Sequence, residues 1–209
     1  MDFSPQISGA ILAGGMSRRL GRDKASLPLA GKPLACWVAE ALAPWVSECW
    51  LVTNQPLAHL SLGLPLITDL RPGQGPLGGL ETALFYARAP LVLAVAADTP
   101  FLAAPLLAAL TARAAKGVKT AVVCHTDLGL QPFPGIYTVN LLARLTTFLK
   151  GEDRHVRHFL EQCRAQTLSP EEVARLDPQG RSFLNLNTPE DFEAAARLAP
   201  AAPELSPSS

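Results

Sequence analysis

Two sets of residues in this chain have the types and spacing to do chemistry together: a knot of positive charge near the N-terminus, and carboxylates and amides that each end a run of β-formers. Arg18, Arg19, Arg22 and Lys24 place four cationic side chains within seven positions, opposed only by Asp23, and Gly14 and Gly15 stand just before them. Glycines without a Cβ let the backbone turn sharply and bring its N–H groups close to an anion. A polyphosphate suits such a loop. P-loop spacing is absent, because Gly21-Arg22-Asp23-Lys24 breaks it and Gly31-Lys32 is followed by Pro33. Downstream, Asp98 follows the apolar run Leu91-Val-Leu-Ala-Val-Ala-Ala97. Mg²⁺ is commonly held by one or two carboxylates together with phosphate oxygens and waters, so a single Asp facing the basic loop would suffice. The alternative is that Asp98 caps a helix over residues 103–115.

The elements that must position these residues follow from periodicity. Residues 7–12 read as a buried strand, and Leu34, Trp37, Val38, Ala41 and Leu42 form one apolar helix face that ends at Pro44. Strands are expected over 46–53, 64–68, 91–97 and 120–124, with a further short one after Gln131-Pro132-Phe133-Pro134-Gly135. Helices are expected over 80–87, 103–115, 139–149 and 154–164. Strand and helix alternate, which predicts an α/β fold: a three-layer, Rossmann-like, mainly parallel sheet with right-handed crossovers. Asn54, Asp69 and Asp98 each end a strand, the place where open sheets of this kind bind ligands. One domain over 1–198 and a disordered Ala/Pro/Ser-rich tail over 199–209 are expected.

A second glycine-rich loop covers 69–79. Its Gly73-Gln74-Gly75-Pro76-Leu77-Gly78 matches a dinucleotide-binding fingerprint letter for letter, with Asp98 at the distance of a ribose-binding acid. Against NAD, the preceding strand stops about five residues short of Gly73, and the first strand-helix unit has a glycine loop of its own.

Lys plus Arg equals Asp plus Glu at 18 each, so no global basic field exists to hold nucleic acid. The cysteines, Cys36, Cys49, Cys124 and Cys163, show no metal-binding spacing and read as reduced core residues. No apolar run approaches a membrane span. A cytoplasmic protein with no nucleic-acid or membrane partner is the expectation. Near the C-terminal third, His155 and His158 share a helix face, but no carboxylate or Cys partner is placed to complete a metal site, and the charge there reads as a solvated face; if any of it acts, Arg154 and Arg157 are the choices for neutralising the phosphate of a second substrate. Thr188-Pro189-Glu190-Asp191 is a helix start, while Asn185 and Asn187 point the same way from an extended segment.

Leu12-Ala13-Gly14-Gly15-Met16-Ser17-Arg18-Arg19-Leu20-Gly21-Arg22-Asp23-Lys24 resembles the signature of the molybdenum-cofactor nucleotidyltransferases, with Leu20 where Met is usual. Asp69 followed by Gly75-Pro76-Leu77-Gly78-Gly79, Asp98-Thr99-Pro100, the Pro-containing element at 131–137, and Asn185-Leu186-Asn187-Thr188-Pro189-Glu190-Asp191 are similar to further motifs of that family in the same order. The resemblance spans residues 11–191. It implies a nucleotide-diphospho-sugar transferase-like fold and transfer of GMP from GTP to the phosphate of molybdopterin, with release of pyrophosphate. Carried over residue by residue, it implies that Leu12, Ala13, Gly14, Gly15, Asn54, Asp69 and Gly78 bind the nucleotide. It further implies that Arg19 and Lys24 neutralise the triphosphate, that Asp98 holds Mg²⁺, and that Asn185 and Asn187 lie on the pterin side, to which Arg154 is added on the strength of its charge. The pathway implies contact with other cofactor-biosynthesis proteins or the recipient molybdoenzyme. No residue here distinguishes guanine from cytosine, so a CTP-using relative stays open, as do a sugar-phosphate nucleotidyltransferase and a nucleotide-binding module without turnover.

Overall fold

The structure is a computed structural model that describes residues 6–13 and 23–199. The first strand, β1 (Ile7–Ala13), alternates its apolar side chains between two faces: Ile7 and Ile11 enter one buried cluster, Ala10 and Leu12 another. A strand that is apolar on both faces must be covered on both, and this dictates three layers. A two-residue hairpin of β2 (Pro28–Leu29) and β3 (Lys32–Pro33) leads into α1 (Leu34–Leu42). There follow β4 (Glu48–Thr53), the one-turn α2 (Pro56–His59), β5 (Leu66–Thr68), α3 (Gly75–Tyr86), β6 (Leu91–Ala96) and α4 (Ala104–Ala115). The second half comprises β7 (Ala121–Thr126), β8 (Gly129–Thr138), α5 (Leu142–Phe148), α6 (Val156–Cys163), β9 (Gln166–Leu168), α7 (Pro170–Leu176) and α8 (Pro189–Leu198).

Seven strands form one sheet in the order β5-β4-β1-β6-β8-β7-β9. β5, β4, β1 and β6 are parallel, β8 runs antiparallel to both β6 and β7, and β7 is parallel to β9. The expected α/β, mainly parallel, three-layer fold is what forms. β6 shows the same two-sided pattern as β1: Leu91, Leu93 and Val95 face the cluster that includes α1 and α4 residues, while Val92 and Ala94 face the cluster that includes α3, α5 and α6 residues. A smaller cluster of Leu29, Leu34, Leu186 and Ala195 ties α8 to the start of α1.

Chain leaving β1 turns toward β4, whereas chain leaving β6 continues to α4 and β7, so the carboxyl ends of β1 and β6 flank the topological switch point. That is where an open α/β sheet leaves a crevice.

Several expected elements take different bounds for physical reasons. The second glycine loop is half helix: α3 begins at Gly75, with Pro76 in its first turn, and Leu77, Gly78 and Gly79 are already buried in it. Glycine's low helix propensity is overridden because the helix packs close, a Cβ on Gly79 meeting Leu12 Cδ2 at 3.3 Å. The short strand expected near Gln131 is a ten-residue antiparallel one. The helix expected from Arg154 begins at Val156, since Asp153 takes the His155 backbone N–H at 2.8 Å and ends the preceding turn. The helix expected from Val139 opens as a 3-10 turn (Val139–Leu141) before α5. β9 and α7, unread in the sequence, close the sheet's far edge; α7 starts at a Ser169–Glu172 capping box. The expected cap at Thr188 is present as a second capping box, with Asp191. All four cysteines are free thiols, and burial pushes Cys49 and Cys124 up to about 12. Among the described residues no helix is long and apolar enough to cross a membrane. The tail expected over 199–209 lies outside the described residues from 200 onward.

Candidate active site

At the switch point Leu12 and Ala13 end β1, Ala96 ends β6, and Ala97 and Asp98 follow it; together they floor a pocket whose walls include Lys24, Asp69, Gly75, Pro76, Gly79 and Phe133. Each wall has a local cause. Ala97 donates its N–H to Leu12 O at 3.1 Å, which locks the two strand ends together. The turn Lys24–Ser26 is capped by Asp23, whose Oδ2 accepts from Ser26 N and Ser26 Oγ, both at 3.2 Å. Gly73 and Gly75 take positive φ, which turns the chain from Asp69 into α3.

The cation and the carboxylate meet directly. Lys24 Nζ donates to Asp98 Oδ2 at 2.9 Å and to Asn187 Oδ1 at 2.5 Å, with the Lys24 and Asp98 side chains 17% and 20% exposed. The backbone of the C-terminal segment is pinned beside them, Leu186 N–H donating to Asp98 O at 3.0 Å. Asp98 caps no helix. α4 is preceded by Ala103, whose N–H goes instead to Ser182 Oγ at 2.9 Å.

Asp69 lies across the pocket from this pair's strand and is half buried. Desolvation pushes its carboxyl above the ordinary carboxylate range, against hydrogen bonds from Asn54 and Thr82 that pull the other way. Its Oδ1 is buried with no hydrogen-bond partner among the described residues, as is Gln74 Oε1 beside it in the loop. A buried acceptor without a donor is costly.

Of the residues singled out by sequence, the structure gathers Leu12, Ala13, Lys24, Asp69 and Asp98 in one pocket and sets Asn54 on Asp69. Gly78 does not line it; Gly79 does, and a Cβ on Gly78 would meet Gln74 Cβ at 2.7 Å, so that glycine serves packing of the loop on the helix. Asn187 reaches Lys24, while exposed Asn185 turns back on Phe183 O at 3.4 Å. Arg154 is spent on Gly151 O and Asp153 O and lines no part of the pocket. Gly14, Gly15, Arg18, Arg19 and Arg22 lie outside the described residues. His155 and His158 do have a carboxylate partner, contrary to the sequence reading: Asp153 Oδ1 and Oδ2 take their Nδ1 atoms at 2.9 and 2.8 Å. Spacing from the first His alone hid it, because the acid sits ahead of the helix and folds back over its first turn. Phe133 and Asp23 were missed as pocket residues; only the pairing of β8 with β6 brings Phe133 there.

The carboxylate of Asp98, 20% exposed and facing a pocket with a second carboxylate, is hard oxygen chemistry that fits Mg²⁺ together with phosphate oxygens. An open, mostly parallel sheet with a lysine, three acids and a glycine-bearing helix start around its switch-point pocket defines a nucleotide-binding α/β protein. The MobA-like NTP transferase domain matches residues 9–168, and the chain belongs to that family of nucleotidyltransferases. It is 36% identical to a probable molybdenum cofactor guanylyltransferase of Chloroflexus aggregans, over 92% of this chain and 95% of that one. It is also 36% identical to a molybdenum cofactor guanylyltransferase of Cereibacter sphaeroides, over 92% and 97%. Among solved structures it is similar to the molybdopterin-guanine dinucleotide biosynthesis protein A of Archaeoglobus fulgidus, with a TM-score of 0.79, 27% identity, and coverage of 91% and 97%.

Proposed function

We propose that the protein transfers GMP from GTP to the terminal phosphate of molybdopterin, forming the guanine dinucleotide cofactor and pyrophosphate. The observation that carries this reading is near-full-length similarity, at 36% identity, to relatives named for that activity, in a chain whose pocket pairs Lys24 with Asp98. The attacking group is already an anionic phosphate, so no side-chain base is needed and the protein's work is alignment and charge neutralisation. The Leu12–Ala13 backbone flanks the nucleotide, and Gly14 and Gly15 are assigned to the nucleotide by the family resemblance. Lys24, held between Asp98 and Asn187, and Arg19 neutralise the triphosphate as negative charge moves to the departing pyrophosphate. Asp69, beside Asn54, is assigned to the nucleotide by the family resemblance and by its place on the pocket wall. Asp98 is the residue that would hold Mg²⁺; the ion would supply charge neutralisation at the phosphates. Asn185 and Arg154 lie outside the pocket; the assignment of Asn185 to the pterin rests on the family resemblance and that of Arg154 on its charge.

The test is pyrophosphate release by the purified protein with molybdopterin, Mg²⁺ and GTP, CTP or dTTP in turn. Release with GTP alone is expected. Release with CTP alone would replace the product while keeping the mechanism, and none with any nucleotide would overturn the transferase reading.

A further inference from the structure

Asp23, the one acid within the basic knot, is tied to an element that the nucleotide chemistry leaves unused. α2 is a single turn in which Leu57 is 84% exposed but His59 only 1%. A one-turn helix that exposes its leucine and buries its histidine is inverted relative to the usual preference. The reason for burying that imidazole is visible: His59 Nε2 lies on Asp23 Oδ2, the oxygen that also takes Ser26 N and Ser26 Oγ. Asp23 is the cap of the Lys24–Ser26 turn and a pocket wall, and Lys24 is the next residue. A contact 36 positions apart in sequence therefore fixes the carboxylate adjacent to the phosphate-binding ammonium.

We propose that His59 is a positioning residue for Lys24, an inference that rests on the nucleotidyltransferase reading above. Its Nε2–H holds the Asp23 carboxylate on the turn. Freed from His59, that carboxylate becomes a rival partner for its neighbour Lys24, competing with Asp98 and with the triphosphate. The turn that aims Lys24 loses its anchor at the same time. His59 touches no reacting atom; it acts through Asp23.

Misalignment of about 1 Å at a reacting centre can cost about 10²-fold in rate. His59→Phe keeps an apolar ring of similar size without the donor, and His59→Gln places an amide N–H near the position of Nε2. The expected result is a kcat for pyrophosphate release at least about tenfold lower in H59F, with Tm held near wild type, and recovery to within about threefold in H59Q. In a cycle with Asp23→Ala, the double variant should be no slower than D23A alone. Equal activity of H59F and wild type, equal losses in H59F and H59Q, or additive losses with D23A would each overturn the proposal. Imidazole ¹⁵N spectra provide a readout independent of turnover: the wild-type His59 signal should report a proton on Nε2, and D23A should shift it. An unmoved signal overturns the His59–Asp23 coupling even if the H59F variant fails to fold. Absence of pyrophosphate release in the wild type, with the spectral shift present, would locate the failure in the parent reading.

Discussion

Replacing Asp98 by Asn removes one charge from the pocket and almost no volume. In the wild type the Lys24–Asp98 pair is 2.9 Å apart with side chains only 17% and 20% exposed. At an effective dielectric of about 20 such a separation is worth roughly 6 kcal/mol of gross Coulomb energy. Desolvation and the surviving Asn187 contact offset most of it, leaving a net loss of about 1.5 kcal/mol, the low end for a hydrogen bond to a charged group. For a chain of this length that is a fall in Tm of about 3–6 °C. Turnover should respond far more, because a charge aimed at the developing transition state is worth about 10²–10³-fold in kcat. The assay is paired: thermal melting, and initial rates of pyrophosphate release at saturating GTP and molybdopterin. A D98N enzyme within fivefold of wild-type kcat would refute the placement of Asp98 in the chemistry, however much its Tm had fallen.

Asp69 should show a trade of stability against binding. Burial raises its folded pKa, so between the ordinary carboxylate value and that raised value the folded chain binds more protons than the unfolded one, and stability falls as pH rises through the window. Asp69→Asn should flatten the Tm profile across that window, leave Tm at pH 7 equal or higher, and raise the KM for GTP at least about tenfold; a lower Tm at pH 7 would contradict the burial argument. The two adjacent glycines should separate by role. Gly78→Ala, whose Cβ would meet Gln74 Cβ at 2.7 Å, should cost about 1–3 kcal/mol of stability by overpacking, read in denaturant melts. Gly79→Ala, whose nearest contact is Leu12 Cδ2 at 3.3 Å, should fold with little loss but raise the KM for GTP by narrowing the pocket; unchanged KM would remove Gly79 from the nucleotide's surroundings. Asn187→Ala should lower kcat several-fold, because it removes the second oxygen that holds the Lys24 ammonium, and an unaltered kcat would mean that Asp98 alone suffices.

What could be read from the sequence was what depends on neighbours along the chain. The nearly unbroken apolar runs of β1 and β6 report burial on both faces wherever the partners come from, and Thr188 to Asp191 specifies its own cap. The placement of Asn54, Asp69 and Asp98 just after strands was legible because a strand's carboxyl end in an α/β sheet is a position defined by local pattern. The start of α3 was misread for the converse reason: Gly75 to Gly79 has poor intrinsic helix propensity, and only close packing on Leu12 makes it helical. Pairing across the sheet was hidden in part: the two-residue turn after Thr126 joins β7 and β8 as an antiparallel hairpin, but nothing local places β8 beside β6, and that placement brings Phe133 to the pocket. The side-chain partners were furthest from reach. Lys24 meets Asn187 across 163 positions, and His59 meets Asp23 across 36. Residue type and spacing fixed which groups could act; which of them touch was decided by the tertiary structure, because hydrogen-bond partners are set by where separate elements dock and not by the chain between them.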